Sequence, residues 1–310
     1  MSTPGEAEAS TRADERREIA RRQFEAACKE LRSSEGWQRF ARARALLRGY
    51  SLNNTLLILA QRPEATTVTS YRRWVELGRQ VRRGERALRV WAPSIRREKD
   101  EATGEERSAV RAWVLVPVFD VSQTEGPPLP EPPPPQPLTG DSHAHLLPAL
   151  EQQAADAGYR VERRAEMPGG AQGVVDHRSR VIGLSSSLGP NGQVAVLVHE
   201  LAHVHGAHYR DFGRAGAEVV AETAAYVALS AARLDTGAQA IPYVTGWAEA
   251  APKDPAAYAG AVHRIAGELE TALGLEHTLE RRLGIEANRV APAPERVAAA
   301  ERSVDASRGR

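Results

Sequence analysis

The run GPPLPEPPPPQPLTG at residues 126–140 constrains this chain more than any other stretch. Its prolines fix φ and carry no N–H, so neither a helix nor a central strand can be built through it. An extended, stiff polyproline spacer is the expectation. The 310-residue chain is thereby divided into two parts of ordinary domain size, residues 17–125 and 141–275, each able to bury a core. Residues 1–16 and 276–310, rich in Ala, Arg and Glu, are expected to be a disordered N-terminal tail and a frayed C-terminal tail.

Before the spacer, REIARRQFEAACKELRSS and GWQRFARARALLRGY place apolar residues three and four apart, as amphipathic helices do. SLNNTLLILAQRP adds a third helix, with Ser51 as N-cap and Pro63 just past its end. SYRRWVELG reads as a short helix stopped by Gly78, and ALRVWAPSI and AVRAWVLVPVFDV as strands of an antiparallel sheet joined by the polar RREKDEATGEERS. After the spacer, HLLPALEQQAADAGY is a helix and GVVDHRSRVIGLSSS a hairpin. The stretches ending in LVHELAHVHG, GAEVVAETAAYVALSAARL and DPAAYAGAVHRIAGELETAL are helices again. The fold class is therefore α+β: N-terminal helices with a small antiparallel sheet, a Pro-rich linker, and a helical C-terminal domain with a short hairpin.

Charge is unevenly divided. Residues 1–125 hold 24 Lys/Arg against 18 Asp/Glu, and 126–310 hold 17 against 22, so a net +1 conceals halves of +6 and −5. Cys28 is the single cysteine, which rules out an internal disulfide. The charged start GEAEASTRADERRE has no basic-apolar leader, and no apolar run approaches the roughly 18 residues of a membrane span. A cytoplasmic protein without membrane association is expected.

LVHELAHVHG contains His199 and His203, four residues apart. On a helix that spacing puts both imidazoles on one face, able to share a tetrahedral ion such as Zn2+. Glu200, one step around, can take a proton from a metal-held water, as the glutamate of H-E-x-x-H hydrolases does. The surrounding Val196, Leu197, Val198, Leu201 and Ala202 make this a buried helix, on which unpartnered polar groups are costly. A third ligand is expected from the next helix: Glu222, with Glu218 one turn before it as the alternative or as an acceptor orienting an imidazole. His205, beside Gly206, and His208 and Tyr209 after it are expected off the ligand face.

Residues 145–235 resemble the zincin metallopeptidases, in particular ImmA/IrrE-like peptidases and the C-terminal domain of ArdC-like antirestriction proteins. The resemblance rests on the expected strand RVIGLS, then LVHELAHVHG, then a glutamate helix. It implies His199, His203 and Glu222 as zinc ligands and Glu200 as the general base.

Between Tyr71 and Lys99 lie ten Lys/Arg and three Glu, interleaved with Tyr71, Trp74 and Trp91. Cations among aromatics suit single-stranded nucleic acid, although a solvated charged face reads the same way. Gly84 permits a turn presenting Arg79, Arg82, Arg83, Arg86 and Arg89 together, while Trp74, beside Val75 and Leu77, is expected in the core. YSLNNTLLILAQ, SYRRWVELGRQVRRGERALRVWAP and VPVFDVSQTEG together resemble the N-terminal domain of ArdC, over about residues 17–126. That resemblance implies single-stranded DNA as a partner, with Asn53, Asn54, Arg72 and Arg73 joining Arg82, Arg83 and Arg86 as contacts. The combined expectation is a DNA-binding, zinc-dependent peptidase acting on a protein substrate in an antirestriction or regulatory role. Its rival is a DNA-binding protector whose metal is structural.

Overall fold

The computed structural model describes residues 4–99, 106–129, 135–236 and 254–275. It is a mixed α+β structure. Helix α1 (Pro4–Glu30) begins within the stretch expected to be a tail. Ser33 caps α2 (Ser34–Leu46) and Ser51 caps α3 (Leu52–Gln61), each hydroxyl accepting a backbone N–H three residues on. Strand β1 (Val68–Thr69), helix α4 (Tyr71–Glu76) and strand β2 (Gln80–Val81) lead into the long strands β3 (Leu88–Lys99) and β4 (Glu106–Asp120). The sheet order is β1-β4-β3, all antiparallel, and β2 pairs separately with β5 (Thr124–Glu125).

Strand β3 is an edge, and α3 covers it through side chains. Asn54 donates to Trp91 O at 2.9 Å and accepts Trp91 N–H at 2.8 Å. Gln61, two turns along the same face, does the same with Arg89, at 2.9 and 2.8 Å. The two amides thus satisfy alternate residues of the strand, as a further strand would.

The proline run does not end as a free spacer. Its last residues form β6 (Gln136–Pro137), which pairs in parallel with β10 (Leu234–Asp235). Pro137 needs no N–H there, because an outermost two-residue strand leaves that side unpaired. Between them come α5 (Leu147–Asp156) and the strands β7 (Arg160–Arg164), β8 (Gly173–Asp176) and β9 (Val181–Ser185). The expected hairpin is β8 against β9; β7, a strand that the residue pattern does not announce, lies parallel on the other side of β9. All five β9 residues are buried.

Helices α6 (Pro190–Val204), α7 (Tyr209–Ala231) and α8 (Pro255–Ala272) complete the chain. Helix α7 is broken at Gly213, whose φ of 68° and ψ of 170° are not helical. The hydrophobic core is continuous across both sides of the proline run, from Trp37, Phe40 and Ile58 to Val220 and Ile265. Buried polar contacts cross it too: Trp37 Nε1 donates to Thr223 Oγ1 at 3.0 Å, and Arg44 pairs with Glu270 through both terminal nitrogens, at 3.1 and 2.9 Å.

Candidate metal centre and cationic face

Helix α6 begins with Pro190 at its first turn, where the missing N–H costs nothing, and is packed from Val194 to His203. His199 and His203 stand one turn apart with ring centroids 5.1 Å apart. Glu218, from α7, places Oε2 3.5 Å from His199 Nε2 and 3.6 Å from His203 Nε2. Among the described residues this is the one trio of His, Cys, Asp or Glu whose ligand atoms gather, all within 4.8 Å of one another.

The other ring nitrogens are occupied. His203 Nδ1 meets Ala207 O at 2.8 Å and His199 Nδ1 meets Glu222 Oε2 at 2.9 Å. A carbonyl or carboxylate only accepts, so each Nδ1 carries a proton, and with a cation bound each Nε2 would be free to turn a lone pair to the centre. This donor set fits a divalent cation. Glu222, expected as the third ligand, therefore takes the position of an orienting acceptor, and Glu218 takes the place beside both Nε2 atoms. The two share one face of α7 a helical turn apart, so the axial register of α7 against α6 decides between them. Tyr209 OH donates to Glu218 Oε1 at 2.6 Å. Its place in the sequence puts Tyr209 off the ligand face; the break at Gly213 returns it to the site, and a glycine five residues before a glutamate is the signal that points to it.

Charge in the cluster follows from burial and proximity. Burial opposes a charge on His199, but the hydrogen bonds to Glu218 and Glu222 outweigh it and raise its pKa to about 10. Hydrogen bonds from His199 and His203 hold the Glu218 carboxyl far below the usual carboxylate range. A cation among these groups would displace the shared proton. Burial pushes Glu200 up, against the pull of His199 and His203, and burial together with Glu218 pushes Tyr209 up to about 12. Gly173 on β8 makes room for Glu200, since a Cβ there would stand 2.6 Å from Glu200 Oε1 and 2.4 Å from Val196 Cγ1. The cluster opens into a cavity of about 1050 Å3, lined by β8 from Gly173 to Val175, by His177 and His208, and by Tyr226 on α7.

The second expected site is distributed over the N-terminal part. Gly84 has φ of +89° with no atom within 4 Å of where a Cβ would stand, and Arg82, Arg83 and Arg86 around it are exposed. Arg82 reaches Glu85 at 2.8 Å and Ser122 O at 2.6 Å. Arg72 and Arg73 both pair with Glu76, at 3.0 and 2.7 Å. Asn53 is half-buried. Asn54 is corrected: it is 1% exposed, and both ends of its amide are spent on the Trp91 backbone, so it holds the sheet edge and offers nothing outward. Trp74 is buried in the core as expected, its Nε1 donating to Phe119 O at 2.9 Å. Arg79, expected on the turn with the other arginines, is corrected: it is buried, its guanidinium donating to Thr124 Oγ1 at 2.8 Å and Gly126 O at 3.2 Å. Tyr71, 55% exposed, is the aromatic left outward on this face.

Fold and site together define an α+β protein with a two-helix histidine–carboxylate centre and a separate cationic face. Over residues 16–119 the chain is ArdC-like, matching the family model described as the N-terminal domain of anti-restriction factor ArdC. Two solved structures are similar. One is the metal-free crystal structure of the antirestriction ArdC protein from R388 plasmid, 21% identical with a TM-score of 0.42, the match covering 76% of this chain and 86% of that one. The other is its Mn(II)-bound crystal structure, at 19% identity and a TM-score of 0.41, covering 76% and 85%. No curated protein matches the chain. Among the described residues no helix is long and apolar enough to cross a membrane.

Proposed function

We propose that this chain is an antirestriction-type factor that joins a single-stranded-DNA-binding N-terminal part to a zinc-dependent peptidase centre of the zincin kind. The observation that carries this reading is the convergence of His199 Nε2, His203 Nε2 and Glu218 Oε2, with Glu200 buried beside them and a cavity opening over all four. A purely structural metal site is normally closed by four protein ligands, whereas three with open space suit catalysis.

His199, His203 and Glu218 would hold the ion, with Glu222 and Ala207 O fixing the imidazoles and Tyr209 fixing the carboxylate. A bound divalent ion supplies Lewis acidity, which makes a water acidic and polarises a carbonyl oxygen. Glu200 takes a proton from the attacking water and passes it to the leaving amine. Its burial favours the proton-bound carboxyl, which strengthens the carboxylate as a base. Arg82, Arg83 and Arg86 would meet the phosphates, with Tyr71 offering a face for base stacking.

Glu200→Gln tests the reading. The variant should bind metal and oligonucleotide as the parent does and lose protection against restriction. Protection that survives would reject the peptidase and leave a DNA-binding protector with a structural ion.

A further inference from the structure

The helix that supplies Glu218 and Glu222 packs through many alanines. Its buried residues include Ala217, Ala221, Ala224, Ala225 and Ala228 beside Val219, Val220, Val227 and Leu229, and alanine ridges are shallow, so packing leaves part of the rotation about the helix axis to directional contacts. Side chains reach a radius of roughly 5–6 Å from that axis, so a turn of about 20° moves a carboxylate oxygen by about 2 Å, a whole metal–ligand bond. A directional contact would add to that packing in setting the azimuth of α7.

Thr223, the neighbour of Glu222, is fully buried and gives its hydroxyl proton to Val219 O at 2.7 Å. A lone pair remains, and Trp37 Nε1, itself fully buried on α2, donates to it at 3.0 Å. Trp37 is fixed in turn by Phe40, at 5.4 Å between ring centroids. Helix α2 is anchored independently on α8, where Arg44 binds Glu270 through both terminal nitrogens and donates from Nε to His263 Nδ1 at 2.9 Å. Helix α8 grips the start of α7, with Tyr258 OH donating to Phe212 O at 3.2 Å and the Tyr258 and Phe212 rings 4.8 Å apart.

We propose that Trp37, within the ArdC-like residues 16–119, is a positioning residue for the candidate metal centre: its indole N–H, held by Thr223, fixes the rotation of α7 that brings Glu218 and Glu222 to the histidines. The proposal rests on reading that cluster as a metal site. It assigns the N-terminal part a role at the centre separate from any nucleic-acid contact.

The test uses the full chain with Trp37→Phe, Thr223→Val, the double variant, and Thr223→Ser, which keeps the hydroxyl. Affinity for Zn(II) and for Mn(II) is measured by competition with a chromophoric chelator, and urea unfolding of the metal-free proteins is run beside it. Trp37→Phe and Thr223→Val should each weaken metal binding by about threefold to tenfold, below the roughly 10–100-fold lost with a partner that touches the ligand. The double variant should match a single one, and Thr223→Ser should bind as the parent does. Lower stability with unchanged metal affinity, or additive losses in the double variant, would overturn the positioning role. A parent chain that binds neither metal would remove the metal reading itself and this inference with it.

Discussion

The two candidate sites are built on opposite principles. At the α6–α7 centre each polar group has its direction fixed by another: Nδ1 of His203 by Ala207 O, Nδ1 of His199 by Glu222, and Oε1 of Glu218 by Tyr209. On the cationic face Arg72, Arg82, Arg83 and Arg86 stand toward solvent, and their ion pairs, such as Arg82 with Glu85 and Arg72 with Glu76, are partly or fully exposed. The first arrangement suits an ion that demands bond lengths within tenths of an ångström. The second suits a flexible polyanion, which rewards charge density over geometry. Preorganisation is concentrated where a small target requires it.

The largest response is expected where the two regions are bolted together. Arg44→Met leaves Glu270 buried without its cation, and breaking such a pair costs about 3–5 kcal/mol. Chemical unfolding should then show both halves weakened in one transition, and separate transitions would break the picture of a shared core. Glu218→Gln and Glu222→Gln sharpen the contrast within the centre. The first should lower metal affinity by more than about 100-fold and the second by about 10-fold, the scale of an orienting partner. The reverse order would return Glu222 to the ligand position.

Protons act on the same centre. In the metal-free protein the His199 pKa lies above its unfolded value, at about 10, so its contribution to stability is full below the ordinary histidine range and is lost as pH rises through about 10. Glu218, held low by the same contacts, gives stability that is lost as pH falls below the ordinary carboxylate range. Urea midpoints of chelator-treated protein should therefore be highest in mildly acidic solution, between the ordinary carboxylate and histidine ranges, and decline toward pH 10. A flat profile would contradict the cluster. The smallest effect belongs to the cationic face. Replacing Arg83 and Arg86 by Ser should weaken oligonucleotide binding severalfold and reduce the salt slope by about 1.4, or about 0.7 for each phosphate no longer neutralised. Asn54→Ala should act through sheet stability and leave that slope alone.

What can be read from the sequence divides along the same line. The H-E-x-x-H helix, its apolar flanks and the hairpin before it are local patterns, and they lie where periodicity places them. The ligand choice between Glu218 and Glu222 is not local. It depends on the axial register of α7 against α6, and the contacts that hold α7 come from far along the chain, Trp37 lying 186 residues before Thr223 and Tyr258 46 after Phe212. Asn54 reads as a surface amide because nothing in SLNN reveals that Trp91 will lie opposite it. Strand β7 escapes notice because RVERR carries one apolar residue among charges, and its pairing with buried β9 supplies what its own composition lacks.

The pairing of Gln136–Pro137 with Leu234–Asp235 has a consequence for any attempt to divide the molecule. A cut just ahead of Gln136 would leave the second fragment's leading end stapled beside the close of α7, while Trp37 and Arg44 still dock the first fragment onto α7 and α8. The two pieces, produced separately and mixed, should reassociate as a split protein. Neither should behave as a free-standing module.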